Sequence, residues 1–135
     1  QELFAQPDGT HCAANQVLYN VGSRGIEYDL LPLMRQHQIP VMAYCPLAQA
    51  GRLRRGLLNH PALRQIAGEH HATVPQILLA FLLAQPGVLP IPRTGSAQHA
   101  QQNAAAAEIR LSAEELALLD AAFPKPKRKT RLEIV

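Results

Sequence analysis

Apolar residues in this sequence come in short runs that stop at proline or glycine, and the clearest runs open into loops of small residues. Val41 to Tyr44 follows Pro40 and gives way to Cys45-Pro-Leu-Ala-Gln-Ala-Gly51, the pattern of a buried strand that delivers a ligand-binding loop. Val88 to Ile91 has the same design and ends in Pro92-Arg-Thr-Gly-Ser96. Cys12 to Tyr19, short and partly apolar after the turn formers Pro7-Asp-Gly-Thr10, predicts a strand ahead of both.

Helical spacing fills the gaps. Glu27 to His37 puts Leu30, Leu31, Leu33 and Met34 on one stripe and stops before Pro40, and Pro61 to His71 carries Leu63, Ile66 and Ala67 on one face. Thr73 with Gln76 three residues on makes a capping box, and Ile77 to Ala84 is apolar enough to need cover on most sides until Gln85-Pro-Gly87 ends it. Ser96 caps a helix predicted to run to about Ala107, and Ser112 with Glu115 opens another over Leu111 to Leu119. Strands alternating with helices predict an α/β fold with a parallel sheet and helices outside it. Three strands leave two open edges, whereas a closed (β/α)8 barrel takes about 250 residues. The chain is therefore expected to form the C-terminal part of such a barrel, its last third to half. The runner-up, a doubly wound sheet, would carry G-x-G-x-x-G or G-x-x-x-x-G-K-[ST] after a strand, and neither occurs.

A length of 135 residues fits one domain, and the composition is that of an ordinary globular protein rather than a disordered one. No apolar run approaches the roughly 20 residues of a membrane-spanning helix, and Gln1 to Gln6 lacks signal-peptide character, so the cytoplasm is the expected location. Gln1 stands where a complete product would begin with methionine, which suggests a chain cut from something longer. Cys12 and Cys45 form no CxxC pair, so neither a disulfide framework nor a structural zinc site is expected. The net charge of +3 owes much to Lys125 to Arg131, which divides the chain into a partial barrel over residues 1–123 and a basic tail over 124–135. That tail has no interleaved aromatics, so no nucleic-acid partner is expected. His70-His71, with His60 nearby, lack a completing carboxylate or cysteine and read as a solvated face rather than a metal site.

In a parallel barrel the strand C-termini face the ligand, which puts Tyr44 to Leu53 and Arg93 to Ser96 on one functional rim. Arg93, Thr94 and Ser96 beside a helix N-terminus could hold a phosphate, with His99 one turn on. The competing reading makes Ser96 a simple cap and Arg93 a solvated cation. Tyr44 could lay its ring on a flat ligand, or it could be a core tyrosine.

Five stretches in order and in register resemble the aldo-keto reductases: Asn15-Gln-Val-Leu-Tyr-Asn20, Arg24-Gly-Ile-Glu27, Val41 to Leu53, Ile91-Pro-Arg-Thr94 with Gln102-Asn103, and Leu111-Ser-Ala-Glu-Glu115 with Leu119-Asp120. The chain is most similar to bacterial reductases of the methylglyoxal or 2,5-diketo-gluconate type. The resemblance implies a (β/α)8 barrel that binds NADPH and reduces carbonyl compounds, with this chain supplying strands six to eight. It further implies that Gln16 bonds the nicotinamide carboxamide and Tyr44 stacks on the nicotinamide. Cys45, Pro46, Leu47, Gln49, Gly51 and Leu53 would line the pyrophosphate loop. Arg93, Thr94 and Ser96 would hold the 2′-phosphate, with His99 near the adenine and Gln102 and Asn103 at its amino edge, and Ile91 would also touch the cofactor. Cys45 replaces the usual serine and His99 a common arginine, and a histidine neutral at pH 7 would soften the preference for NADPH over NADH. The family's catalytic Asp, Tyr, Lys and His belong to the first half of the barrel, and none of their motifs occurs here. The resemblance thus implies no catalytic residue in this chain and an N-terminal half-barrel as the partner needed for activity on a small carbonyl substrate. Its alternative is a non-catalytic nucleotide-binding or assembly module.

Overall fold

The computed structural model describes residues 2–134. Its centre is a sheet of three parallel strands in sequence order, β1 (Asn15–Leu18), β2 (Val41–Tyr44) and β3 (Val88–Pro90). The register pairs Gln16 with Met42 and Met42 with Leu89. Helix α1 (Leu30–Gln36) joins β1 to β2, helices α2 (Arg52–Leu58), α3 (Pro61–Glu69) and α4 (Val74–Leu83) lie between β2 and β3, and α5 (Ala97–Ala105) and α6 (Ala113–Ala122) follow β3.

Side-chain alternation along the strands divides the sheet into two unlike faces. Val17, Val41 and Ala43 are buried in one hydrophobic cluster with Leu31 and Met34 of α1, Leu63 and Ile66 of α3, and Ile77, Leu78, Phe81 and Leu82 of α4. The opposite face carries Gln16, Met42 and Leu89 in one row, with Gln16 exposed and Leu89 53% exposed. Leu18 and Tyr44 form the next row toward the strand C-termini. Helix α4 is buried at every position from Ile77 to Leu82, as its continuous apolar sequence requires. No helix among the described residues is long and apolar enough to cross a membrane.

Several expected boundaries move. The strand expected from Cys12 starts only at Asn15, after a 3-10 turn over Gly9–His11, where the Asn15 N–H finds the Pro40 carbonyl at 2.9 Å. The helix expected from Glu27 starts at Leu30, because Glu27 closes a separate 3-10 turn with its carboxylate held by Tyr19 and Arg24. Helix α3 stops at Glu69 rather than His71: His71 is left-handed (φ 51°), and the Ala72 N–H turns back to Ala67 at 2.8 Å, a Schellman-type end. Strand β3 ends at Pro90, although the Ile91 N–H still donates to Ala43 at 3.1 Å. Beyond α5 a 3-10 turn over Ala106–Glu108 takes up the end of the longer helix expected to about Ala107, and α6 runs on to Ala122. Helix α2 has no counterpart among the expected elements; only Leu57 of its seven residues is buried, and Gly56, a poor helix former, lies within it.

Of the three histidines expected on a solvated face, His71 is exposed as expected, whereas His70 and His60 take part in structural contacts. His70 lies 2.7 Å from Glu115 with its side chain 25% exposed, joining α3 to α6, and His60 caps α3 by accepting the Ala62 N–H at 3.3 Å. Among the described residues no group of three His, Cys, Asp or Glu is placed to hold a metal ion.

Candidate functional site

Tyr44 ends β2 half-buried on the sheet face that the helices leave open, and Gln16 lies on the same face of the neighbouring strand, one row deeper. The chain then enters a tight loop. Cys45 (φ 49°) and Ala48 (φ 59°) are both left-handed without being glycine, and Gly51 follows at φ 119°. Such a conformation is costly for a residue with a Cβ, so the surroundings must hold it. The Cys45 carbonyl accepts the Ala48 N–H at 2.9 Å and the Asn20 side-chain amide at 3.1 Å. Pro46 is buried and Leu47 packs against the core, while Gln49, Gly51 and Leu53 are exposed, Leu53 by 46%. Buried residues therefore anchor the loop at its start and leave its outer half open to a ligand.

The end of β3 builds the second part of the rim. Ile91 and Pro92 are half-buried, Arg93 is exposed, and among the described residues its guanidinium has neither ion pair nor hydrogen bond. The Thr94 hydroxyl accepts the Ser96 N–H at 3.1 Å, and the Ser96 hydroxyl accepts the His99 N–H at 3.4 Å, opening α5. Both hydroxyls still have an O–H to donate. A free cation, two O–H donors and the unpaired N–H groups of a helix start form a setting for an anion. His99 is exposed on the first turn of α5, and Gln102 and Asn103 are half-buried one turn further on. The Gln102 backbone carbonyl is held by the Gln76 side chain at 3.1 Å, fixing α5 on α4. The structure thus puts Tyr44 with its loop and Arg93, Thr94 and Ser96 at the C-terminal ends of adjacent strands.

Sequence reasoning missed two contributors. Asn20 is 1% exposed and joins the turn after β1 to the loop after β2; a bond across 25 residues leaves no local signal. The tail was read as a separate basic segment. Its residues Arg131 to Glu133 instead line two cavities with Leu18 and Ser23, of about 610 and 530 Å³, the smaller reaching Gln49 and Leu53. Arg93, Thr94 and Ser96 line neither. The available clue was Leu132 and Ile134, apolar residues that a purely solvated charge run would not need.

Beneath the rim lies a buried charge network. Arg24 meets Glu27 through two parallel bonds of 2.7 and 2.8 Å, Asp120 at 2.8 Å and the Phe123 carbonyl at 2.6 Å, with its guanidinium 5.1 Å from the Phe81 ring centre. Burial disfavours the Arg24 charge, but Glu27 and Asp120 more than offset this and hold it protonated above its ordinary range. Tyr19 donates to Glu27 at 2.6 Å, and burial first, then the Glu27 carboxylate, pushes its hydroxyl far above the ordinary tyrosine value. Tyr19 thus holds its proton in the bond to Glu27.

Comparison with known proteins puts this geometry in context. The model of the Aldo/keto reductase family matches residues 4–123. Methylglyoxal reductase YeaE of Escherichia coli is 56% identical over 135 residues, which is 100% of this chain and 48% of the relative. Pyridoxine 4-dehydrogenase of the same organism is 38% identical over 110 residues. A crystal structure of an aldo-keto reductase from Klebsiella pneumoniae in complex with NADPH superposes with a TM-score of 0.94 at 59% identity, covering 98% of this chain and 47% of that one. The chain spans about half the length of the relatives it matches.

Proposed function

The chain belongs to the aldo/keto reductase family, and from that premise we propose that it is the cofactor-binding C-terminal portion of an NADPH-dependent reductase that turns aldehydes or ketones into alcohols. One observation carries the reading: a free Arg93 beside the Thr94 and Ser96 hydroxyls at the start of α5 lies on the same rim as Tyr44 and its strained loop. That arrangement fits a dinucleotide whose two ends differ, one a flat ring and the other a phosphate.

In this reading Arg93, Thr94 and Ser96 hold the 2′-phosphate, and His99, Gln102 and Asn103 border the adenine. Cys45 to Leu53 follow the pyrophosphate, Tyr44 backs the nicotinamide and Gln16 bonds its carboxamide. When bound, NADPH supplies the hydride. This chain's residues bind and orient, and the proton for the carbonyl oxygen comes from elsewhere: Tyr19 is locked to Glu27, and the family's catalytic tetrad belongs to the first half of the barrel. A missing general acid costs a factor of about 10²–10⁴ in rate, so the chain alone should not turn over until it is joined to an N-terminal half-barrel. The row of Gln16, half-buried Met42 and Leu89 is the surface such a half would cover.

The test is NADPH fluorescence titrated with the chain. Micromolar or weaker binding is expected, abolished by Arg93→Glu; equal binding by the variant would sink the phosphate assignment. Carbonyl reduction by the purified chain alone would overturn its assignment as the non-catalytic portion.

A further inference from the structure

We propose that Asn20, a residue outside the dinucleotide rim, is a positioning residue that clamps the loop after β2 in the shape needed to receive a pyrophosphate; this rests on the cofactor reading above. Asn20 is 1% exposed, and both ends of its side-chain amide are engaged. The nitrogen donates to the Cys45 carbonyl at 3.1 Å, and the oxygen accepts the Gly22 N–H at 3.0 Å. The backbone of Asn20 is fixed as well, exchanging two hydrogen bonds with Ser23 at 3.0 and 3.3 Å. A closed turn thus projects one buried donor across to the neighbouring strand end.

Its acceptor is the residue where strain begins. Cys45 is left-handed, and its carbonyl must also receive the Ala48 N–H for the loop to close, with Ala48 left-handed in turn. Two costly conformations within four residues persist only if something outside the loop fixes them. Among the side chains of the described residues, Asn20 alone bonds the loop backbone from Cys45 to Gly51. Releasing the clamp should let Cys45 relax to an extended conformation, which would move the loop without touching the Arg93 end of the site.

That separation makes the proposal testable. Asn20→Asp keeps the size and the acceptor for Gly22 but deletes the donor to Cys45; Asn20→Ala deletes both. Hydrogen exchange at the Ala48 amide should speed up in the Asp variant of the full chain while the amides of α4 stay protected. NADPH should bind at least roughly tenfold more weakly, because binding must then restore a loop shape that the buried Asn20 bond otherwise holds in place. Adenosine 2′,5′-bisphosphate, which reaches the Arg93 end but has no pyrophosphate, should bind unchanged. Unchanged exchange at Ala48 in a folded Asn20→Asp would overturn the clamp. An equal loss for both nucleotides would also overturn it, as general damage. A wild-type chain that binds neither nucleotide would refute the cofactor reading and, with it, a binding role for Asn20; the exchange result would still decide whether Asn20 holds the loop.

Discussion

Arg24 carries a charge into a nearly dry part of the protein, where its side chain is 4% exposed and that of Glu27 8%. A buried ion pair of this kind adds little over a well-packed apolar replacement, but removing one partner strands the other, at a cost of about 3–5 kcal/mol. Arg24→Ala would leave Glu27 with only Tyr19 and Asp120 with only Lys125. We expect the unfolding free energy of the chain, read from its urea transition, to fall by that amount. Arg24→Lys should recover only part of the loss, because an ammonium cannot reproduce two parallel bonds to Glu27 together with one to the Phe123 carbonyl. An alanine variant within about 1 kcal/mol of wild type would show that the network does not hold the turn after β1 to α6. Nothing around Arg24 in the sequence announces this role; its partners are three, 96 and 99 residues away, and only the first is local.

Helix α4 separates what local sequence encodes from what only packing reveals. Its start is a Thr73–Gln76 box in which the Gln76 oxygen accepts the Thr73 N–H at 2.9 Å, and Gln85-Pro-Gly87 follows directly on its C-cap Ala84, so both boundaries were legible from the residues themselves. Strand β2, set between Pro40 and the Cys45-Pro46 break, was legible for the same reason. Helix α2 was not, since Arg52-Leu-Arg-Arg-Gly-Leu-Leu58 has no cap bond and its fold depends on placing Leu57 in the core. The same contrast yields a prediction within α4. Leu78 is fully buried and Leu83 is 40% exposed. Leu78→Ala should destabilise by about 2–5 kcal/mol, the cost of lost burial plus a cavity, whereas Leu83→Ala should stay within about 0.5 kcal/mol, as surface changes do. Equal urea midpoints for the two variants would show that α4 is not packed as described. Of the candidate site residues, the positions of those on the two strand-end loops were readable because proline, glycine and hydroxyl residues mark such loops locally. Asn20 and the tail act through contacts that cross the chain.

At the scale of the whole molecule, the tail is what local reading leaves most incomplete. It carries Arg131 to Glu133 past the C-terminal end of β1, and two ion pairs hold it: Lys129 with Asp29 at 2.9 Å and Lys125 with Asp120 at 3.1 Å. The hydrogen bond from Lys129 lowers the Asp29 carboxyl below its ordinary 3.8. Burial would raise the Asp120 carboxyl, but Arg24 and Lys125 outweigh this and lower it as well. Lys129 is raised above its ordinary 10.5 by the same bond to Asp29. The signs fix the pH window. A lowered carboxyl stabilises the docked tail above the ordinary 3.8, and that contribution is lost as pH falls through the lowered value; a raised amine contributes below 10.5 and its contribution is lost as pH rises through the raised value. The tail should therefore stay docked across the neutral range and release at both extremes, with the acid limb steeper because two carboxylates titrate there and only one raised amine titrates in base. Both pairs are solvent-exposed and hence screened, so about 1 M salt should release the tail at neutral pH too. The Thr130 methyl resonance, which reports the contact near Gly25, gives the readout. A Thr130 signal independent of pH and salt would mean that Leu132 and Ile134, rather than the ion pairs, keep the tail in place. Asp29→Asn would then leave docking unchanged, whereas the ion-pair account requires that variant to lose the Lys129 anchor and the basic limb of the profile with it.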